Sequence, residues 1–392
     1  MELTTVWFIL IAVLWIGYFV LEGFDFGVGI LTQLLARDEA ERRVLINTIA
    51  PVWDGNEVWV LVAGGATFAA FPEWYATLFS GFYLPLFLIL ISLIFRNVAF
   101  EYRGKRPDAS WKAWWDRAIF FGSLVPALLW GVAFGNIVRG VDIDAHKEYV
   151  GTFFDLLNPY ALLGGFVTLS LFVTHGAVFV SLKTSGEIRT RARALALKTG
   201  LAAAVIAVTF LTWTYGQRRH AEHIGWYVAL AVVAAVCLVG ALLAMRAGRE
   251  GWAFVGTAAT IAFAVAGLFV ALFPNVMPSS LDPAWSLTTT NASSTHYTLK
   301  IMTWVAVIFT PVVVAYQTWS YIVFRRRIGI HCGFGLVNDQ RDGMLPRQQF
   351  LQDDIPAGSH IHGPTIRSWL DQHQLAGVVI KIEPGNSLNS FC

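Results

Sequence analysis

Charged residues are scarce in this chain. They make up 14% of its 392 residues, whereas hydrophobic residues make up 56% and the mean hydropathy is +0.57. An ordinary soluble domain contains about 25% charged residues. The shortage excludes a soluble globular protein, because so much apolar surface needs lipid as its solvent. We therefore predict an all-α membrane protein that crosses the bilayer several times.

Basic blocks, a cysteine framework and a cleavable leader are also missing. The net charge is only +2 and the basic residues are spread along the chain, which excludes a nucleic-acid-binding protein. Cys237, Cys332 and Cys392 show no C-x-x-C spacing, so neither a disulfide framework nor a zinc site is indicated. The first apolar segment lacks a basic n-region and an A-x-A cleavage site, and we interpret it as a retained first helix.

Long apolar runs are abundant. A helix needs about 20 mostly apolar residues to cross about 30 Å of hydrocarbon. Runs of this kind predict nine transmembrane helices, of which the second is the shortest. They cover Val6–Leu34, Asn56–Phe71, Thr77–Val98, Ala118–Val138, Pro159–Leu182, Leu195–Tyr215, Trp226–Met245, Trp252–Phe273 and Leu299–Phe324.

Charges between these runs alternate and predict the orientation. Short cytoplasmic loops are enriched in Lys and Arg. The segments after predicted helices one, three, five and seven are basic, whereas the segment after helix four is acidic and those after helices two and eight have no basic residue. Arg218 and Arg219 after helix six are the exception, and Arg325–Arg327 again mark a cytoplasmic end. We expect the N-terminus outside and the C-terminus inside.

The composition changes abruptly at the end of the ninth run. Residues 1–328 form the predicted transmembrane domain. Residues 329–392 are polar, rich in Gly, Gln, Asp and His, and contain no run long enough to span a bilayer. We expect a soluble, partly disordered C-terminal tail.

Four acidic residues fall in the first two predicted helices. Glu22 and Asp25 are spaced i, i+3 and share one helix face, as do Asp54 and Glu57. An ionisable group within a membrane is costly and indicates function, and a buried carboxyl group can exchange protons near neutral pH, as a proton path requires. In the alternative interpretation all four lie near helix ends, hydrated or paired with Arg96 or Lys300, and only stabilise packing.

Glycines and a single histidine complete the intramembrane candidates. Gly23 and Gly27 form a G-x-x-x-G pair that predicts a close approach of a neighbouring backbone, and Gly64, Gly65 and Gly81 are interpreted in the same way. His175 lies within an apolar helix, where a histidine is more often hydrogen-bonded to a neighbour than a metal ligand. Met302 is a weaker haem-ligand candidate. We expect no metal centre in this chain.

Several motifs resemble subunit II of the cytochrome bd-type quinol oxidases. They extend across all nine predicted helices. The motifs are L-E-G-F-D-F-G-V-G (21–29), A-P-V-W-D-G-N-E-V-W (50–59), G-G-A-T-F-A-A-F-P (64–72), S-G-F-Y (80–83), F-R-N-V-A-F-E-Y-R (95–103), G-V-A-F-G-N (131–136), L-L-N-P-Y (156–160), F-P-N-V-M-P-S-S (273–280) and M-T-W-V-A-V (302–307).

The resemblance implies a nine-helix subunit of a bacterial inner-membrane oxidase, built from two four-helix bundles plus one helix. In that family the complex oxidises quinol, reduces dioxygen to water and takes protons from the cytoplasm. Subunit I contains haems b and d, and subunit II is free of haem. The implied partners are therefore subunit I, small accessory subunits, membrane lipid and a quinone held against subunit II.

The resemblance also implies roles for single residues. Asp54 matches the proton-path aspartate, Asp25 matches the acidic residue of the first helix, and Trp59 matches a tryptophan near the oxygen channel, although Trp59 is equally interpreted as a packing ring. Two further residues, Trp53 and Arg96, fall in the same motifs and are expected to support the path. Glu22 and Glu57 complete the predicted proton path, although the family has other polar residues at these two positions.

Two other classes of protein fit part of the pattern. An ion-coupled transporter would explain buried carboxylates, but such transporters show broken helices at matched positions of repeated halves, and no such repeat is evident. A purely structural membrane subunit without conducting residues is the other alternative. The tail after residue 328 resembles nothing in the oxidase family.

Overall fold

The computed structural model describes residues 2–329, and the polypeptide in this range is almost entirely helical. Eleven α-helices follow one another along the chain. They are α1 (Leu3–Leu34), α2 (Glu39–Ile49), α3 (Trp53–Ala70), α4 (Pro72–Gly81), α5 (Tyr83–Tyr102), α6 (Ala109–Arg139), α7 (Pro159–Lys183), α8 (Gly186–Arg218), α9 (Ile224–Arg246), α10 (Glu250–Leu272) and α11 (His296–Val323).

Eight of these helices are long and apolar enough to cross a membrane: α1 and α5–α11. They overlap eight of the nine predicted spans, which confirms an all-α polytopic membrane protein. The bounds of the third predicted span (Thr77–Val98) are wrong, because it begins inside α4 and crosses the break at Phe82 before α5. The second predicted span is α3, an 18-residue helix that is not among the eight because its first turn is polar. Among the described helices the second predicted span, and with it the total of nine spans, therefore stays a prediction. The predicted tail lies outside the described residues from position 330 onward.

α1 lies at the centre of the bundle and contacts α3, α6, α7, α10 and α11. Its contact with α7 brings two backbones together, because a Cβ atom at Gly27 would lie 2.0 Å from the Phe172 carbonyl oxygen. The predicted close approach at the G-x-x-x-G pair is confirmed. The packing prediction is wrong for Gly64 and Gly65, since a Cβ at either would meet nothing within 4 Å in the described structure.

A short amphipathic helix, α2, was not predicted. Asp38 caps it by accepting from the Glu41 backbone N–H (2.8 Å), which satisfies a free donor of the first turn. Ion pairs of its acidic side chains connect α2 to the ends of three transmembrane helices. Glu39 accepts from Arg103 (2.6 Å), Arg103 also pairs with Asp116 on α6 (2.5 Å), and Glu41 pairs with Arg191 on α8. Basic segments that are distant in sequence thus meet at one end of the bundle.

The exception in the charge pattern has a structural reason. Arg218 is the last residue of α8, and its Nε atom donates to the Val138 carbonyl oxygen (2.8 Å) in the last turn of α6. A cation at this position complements the partial negative charge at the C-terminal ends of both helices. Arg218 therefore stabilises helix ends.

The end of the bundle that contains Arg218 is covered by irregular structure. β1 (Asn275–Met277) and β2 (Leu287–Thr288) form a small antiparallel pair, and Val141 is bridged to Ser279. Ser294 donates its backbone N–H to the Ala70 carbonyl oxygen (2.8 Å), which ties this segment to the end of α3. α11 follows and contacts only α1 and α3 appreciably in the described structure, so most of its apolar surface is exposed.

Candidate functional site

The acidic face of α1 is buried inside the bundle. Glu22 and Asp25 are both 0% exposed, and they lie well within the 32-residue helix. Hydration near a helix end is therefore excluded for Glu22 and Asp25, which leaves the pairing with Arg96 or Lys300 that the alternative interpretation also offered. Burial of such groups in an apolar bundle requires partners, because an isolated charge there is strongly disfavoured.

Arg96 on α5 provides the first of these partners. Its Nη1 atom forms an ion pair with Glu22 and lies 3.6 Å from Glu57 Oε2 on α3. The guanidinium carbon is 4.9 Å from the ring centre of Phe26 and 5.3 Å from that of Phe100, so two aromatic faces enclose the cation. The structure thus brings Glu22, Glu57 and Arg96 together from three helices.

Asn56 on α3 provides the partner of Asp25. Its Nδ2 atom donates to Asp25 Oδ2 (2.7 Å), while its Oδ1 atom accepts from Gln317 (3.0 Å) and Tyr321 (2.7 Å) on α11. These contacts fix the orientation of the amide, with nitrogen toward the carboxylate. Asn56 consequently links α1, α3 and α11 at one point.

Several carboxyl oxygens in this cluster lack a hydrogen-bond partner. Within residues 2–329, Glu22 Oε2, Asp25 Oδ1 and Glu57 Oε2 are buried and accept no hydrogen bond, and Nε and Nη2 of Arg96 are buried and donate none. Buried polar atoms are normally hydrogen-bonded, so each exception needs a physical explanation. These atoms are therefore available to a further hydrogen-bond partner.

Asp54 is placed differently from the other three acidic residues. It lies in the first turn of α3, is exposed, and has no side-chain hydrogen bond or ion pair among residues 2–329. The side chain lines a groove of about 640 Å³ between α3 and α5, together with Glu57 and Asn97. We call this the α3–α5 groove. Asn97 donates to Glu57 Oε1 (2.9 Å), so Glu57 lies between the groove and Arg96.

The rest of the α3–α5 groove is mostly apolar, and it includes Gly64 and Gly65. The absence of side chains at these two positions widens the groove, and this is the structural use of the two glycines. Trp53, a predicted supporting residue, packs its ring on Phe100 with 5.2 Å between the ring centres. It therefore contacts one of the rings that enclose Arg96.

The ring of Trp59, on α3, packs against Gly17 of α1. A Cβ atom at Gly17 would lie 2.2 Å from a carbon of the Trp59 ring, so only glycine leaves room for this ring. The Nε1 atom of Trp59 donates to Gln317 Oε1 (2.7 Å). Through Gln317 and Asn56, the ring is connected by hydrogen bonds to Asp25.

Four residues of this site were not found from the sequence: Asn56, Asn97, Gln317 and Tyr321. Asn56 and Asn97 lie within motifs in which only the neighbouring charged residues were predicted to act. Gln317 and Tyr321 are spaced i, i+4 on an otherwise apolar helix. Two polar side chains on one face of an apolar helix indicate a polar contact with a neighbouring helix, and this pattern was the signal that could have identified Gln317 and Tyr321.

His175 is buried and both ring nitrogens have partners. Nδ1 lies 2.7 Å from Thr257 Oγ1 and Nε2 lies 3.2 Å from the Val20 carbonyl oxygen, while the ring stacks on Phe254. A neutral imidazole that donates through Nε2 and accepts from the Thr257 hydroxyl satisfies both contacts. His175 therefore offers no free nitrogen to a haem iron. Among residues 2–329 there is no group of three His, Cys, Asp or Glu side chains that could hold a metal ion.

Comparison with known proteins identifies relatives along nearly the whole described chain. The family model described as cytochrome bd terminal oxidase subunit II matches residues 3–324. Cytochrome bd ubiquinol oxidase subunit 2 of Bacillus subtilis is 45% identical over 328 residues, which are 83% of this chain and 97% of the relative. Cytochrome bd-I ubiquinol oxidase subunit 2 of Escherichia coli K12 is 40% identical over 350 residues, which are 81% and 92%.

The fold is similar to that of a solved bd oxidase. A chain of the bd oxidase from Geobacillus thermodenitrificans superposes with a TM-score of 0.69 at 17% identity, over 83% of this chain and 99% of the solved chain. At this identity the superposition supports the fold alone.

Proposed function

The chain belongs to the cytochrome bd terminal oxidase subunit II family, a bacterial inner-membrane subunit of a quinol:dioxygen oxidoreductase, and we propose that its own contribution is to move protons and to support subunit I. Asp54, Glu57, Glu22 and Asp25 carry the protons in this proposal, and Arg96 holds them in place. Haems b and d belong to subunit I, and the chain itself contains no haem.

The charges of the buried cluster support a proton-carrying role. Arg96 brings one positive charge to three carboxyl groups, those of Glu22, Asp25 and Glu57. Three carboxylates around one cation would leave net negative charge within the membrane, which is costly. Binding one proton on each of two of these carboxyl groups removes that cost. The number of bound protons then responds to small changes in the surroundings.

The accessibility of the four residues suggests the order of transfer. Asp54 is exposed and Glu57 has a side chain that is 14% exposed, whereas Glu22 and Asp25 are fully buried. Asp54 and Glu57 are one helical turn apart, and Glu57 and Glu22 both lie beside Arg96. A proton accepted at Asp54 would pass to Glu57 and then to the α1 pair. Transfer towards subunit I follows from there.

The single observation that carries this proposal is the position of Glu57 between the α3–α5 groove and Arg96. The test is oxygen consumption and proton uptake by the purified heterodimer with Asp54→Asn. Both rates should fall while the haem spectrum stays that of the wild type. Asp108→Asn is the matched control, because Asp108 forms an exposed ion pair with Arg106 that contributes little. Unchanged turnover would favour a purely structural subunit.

The finer topology belongs to the same proposal. α3 is the second of nine spans, the helices form two four-helix bundles plus α11, and the N-terminus lies outside. The basic segments that α2 ties together then lie in the cytoplasm, where Asp54 at the start of α3 can receive protons. Exposed apolar surfaces of α3, α5 and α11 face subunit I or lipid. A quinone and small accessory subunits complete the proposed partners, and family membership displaces the transporter alternative.

A further inference from the structure

A pocket of about 310 Å³ lies between the last turns of α7 and α11 and the link that joins α2 to α3. We call it the α7–α11 pocket. Its walls are mostly apolar and come from four parts of the chain: Pro51 and Val52 in the link, Phe179 and Leu182 on α7, Phe254 on α10, and Phe324 after α11. None of its lining residues belongs to α5 or lines the α3–α5 groove. The pocket is therefore separate from that groove.

Two cations line the α7–α11 pocket, Lys183 at the end of α7 and Arg325 just after α11. The Lys183 ammonium donates to the Phe324 carbonyl oxygen, which belongs to the peptide group that joins Phe324 to Arg325. The two cations are thus held close together. An ammonium has three donors and a guanidinium has five. Within residues 2–329 the Lys183 side chain makes this one hydrogen bond and the Arg325 side chain makes none, so most of their donors are available to a ligand.

These two positive charges have no carboxylate partner in the described part of the chain. Glu250 lies one helical turn before Phe254 on α10 and is buried, but it already pairs with three arginines: Arg189, Arg193 and Arg327. Neither Lys183 nor Arg325 forms an ion pair with it or with any other residue from 2 to 329. This end of the bundle consequently has a surplus of positive charge beside an apolar pocket.

We propose that the α7–α11 pocket binds an anionic glycerophospholipid. In the bound state the phosphate accepts from the Lys183 ammonium and the Arg325 guanidinium, and the first part of an acyl chain contacts Phe179 and Phe254. Basic pockets between transmembrane helices on the cytoplasmic side are suited to anionic headgroups, and arginine binds phosphate through two donors at once. The pocket volume is at the lower end of the range for small-molecule sites, about 300–1,000 Å³. It therefore accommodates a headgroup and the start of a chain rather than a whole lipid.

An occupied pocket contacts two parts of the proposed proton path. The α2–α3 link leads directly into the first turn of α3, which contains Asp54. Tyr321 also lines the pocket and donates to Asn56 Oδ1 (2.7 Å), and Asn56 is the partner of Asp25. A lipid held between the link and the two helix ends restrains the start of α3 and the end of α11. This consequence rests on the proposed function, whereas lipid binding itself depends only on the pocket.

Native mass spectrometry of the purified heterodimer tests the binding. After removal of lipid and addition of phosphatidylglycerol, Lys183→Gln/Arg325→Gln should retain one anionic lipid fewer than the wild type. A single cation near anionic lipid contributes about fivefold in affinity, so Arg325→Gln alone should weaken this binding about fivefold. Arg326→Gln is the matched control, because Arg326 is the adjacent exposed residue but does not line the pocket. Equal numbers of bound lipids in the wild type and the double variant would overturn the proposal.

The same measurement identifies the ligand. Phosphatidylcholine should not replace phosphatidylglycerol, because its headgroup has no net charge, and inorganic phosphate should not displace it, because phosphate lacks the acyl chain. Equal retention of phosphatidylcholine, displacement by inorganic phosphate, or a quinone bound in place of the lipid would contradict the assignment. If the loss of the Lys183 contact prevents assembly with subunit I, Arg325→Glu preserves that contact and should exclude the lipid by repulsion. Retention of the lipid by Arg325→Glu counts against the site.

Hydrogen exchange separates this proposal from the proton path. Phosphatidylglycerol should slow the exchange of the amides of residues 48–53 in the wild type and in Arg326→Gln, but not in the double variant. Exchange that does not respond to the lipid in the wild type would refute the restraint on the α2–α3 link. Neither measurement needs turnover, so Asp54→Asn heterodimers should still bind the lipid. Normal lipid binding with unchanged turnover in Asp54→Asn would remove only the proton path, and the opposite pair of results would remove only the lipid site.

Discussion

Arg96 on α5 and Glu22 on α1 form an ion pair in which neither side chain is exposed to any measurable degree. The two residues are 74 positions apart in sequence, and their ion pair joins α1 to α5. Taking both charges out of water is costly, and their attraction offsets that cost only when both are present. The pair is thus weak evidence for stability by itself, but the loss of one member leaves an uncompensated charge in the bundle.

We expect Arg96→Met to destabilise the protein by about 3–5 kcal/mol, because Glu22 would remain buried without its cation. The double variant Arg96→Met/Glu22→Gln should recover much of this loss, since it removes both charges. Thermal unfolding of the detergent-solubilised heterodimer measures both effects. Equal destabilisation by the single and double variants would show that the charge on Glu22 does not matter.

Asn56→Leu should release α11 from α3. The change removes the donor to Asp25 and the acceptor of Gln317 and Tyr321, and leaving the fully buried Asp25 carboxyl group without this donor costs about 1–3 kcal/mol. Hydrogen exchange of the α11 amides, followed by mass spectrometry, should increase. Thr318→Val is the control, because Thr318 is on α11 but is exposed and bonds only within its own helix. Exchange that matches the control would contradict the bridging role of Asn56.

Gly17→Ala should destabilise the chain and displace the Trp59 ring. A methyl group at this position would overlap the ring, and overpacking of this kind typically costs about 1–3 kcal/mol. Gly64→Ala makes the same chemical change where nothing lies within 4 Å, and alanine is favoured over glycine in a helix by up to about 1 kcal/mol. The two melting temperatures should therefore move in opposite directions. A shift of both in the same direction would show that the Trp59 contact is not limiting.

Acid should weaken the attachment of α2 to the bundle. The Arg191 guanidinium, which donates to the Glu41 carboxylate, lowers the pKa of Glu41 below its usual range. A carboxyl group with a lowered pKa contributes stability above the value of the unfolded chain, about 4.3 for Glu, and this contribution is lost as the pH falls through the lowered value.

Glu41→Gln should accordingly lower the melting temperature at neutral pH and have progressively less effect below about pH 4.3. Melting curves of both proteins over a pH series measure the difference. Glu73→Gln is the control, since Glu73 is exposed and its side chain forms no ion pair among residues 2–329. A constant difference between wild type and Glu41→Gln at every pH would contradict the ion-pair explanation.

Much of the site was accessible from the sequence because its members lie in motifs on single helices. The i, i+3 spacing placed Glu22 and Asp25 on one face of α1, and the cost of buried charge indicated that this face has a function. The same spacing did not predict that Asp54 is exposed while Glu57 is mostly covered. Helical spacing shows which residues share a face, but it does not show which of them a neighbouring helix covers. α5 covers Glu57 through Arg96 and Asn97, and it leaves Asp54 exposed.

By itself the sequence determined the transmembrane helices and the buried acidic face. Both depend on local properties, namely the length of an apolar run and the period of the α-helix. Only the tertiary structure decided that the cation beside Glu22 is Arg96 rather than Lys300, and that Asn56 bridges Asp25 to Gln317 and Tyr321. Those arrangements join residues many positions apart, and they depend on how closely helices approach, which in turn depends on the shapes of all the side chains between them.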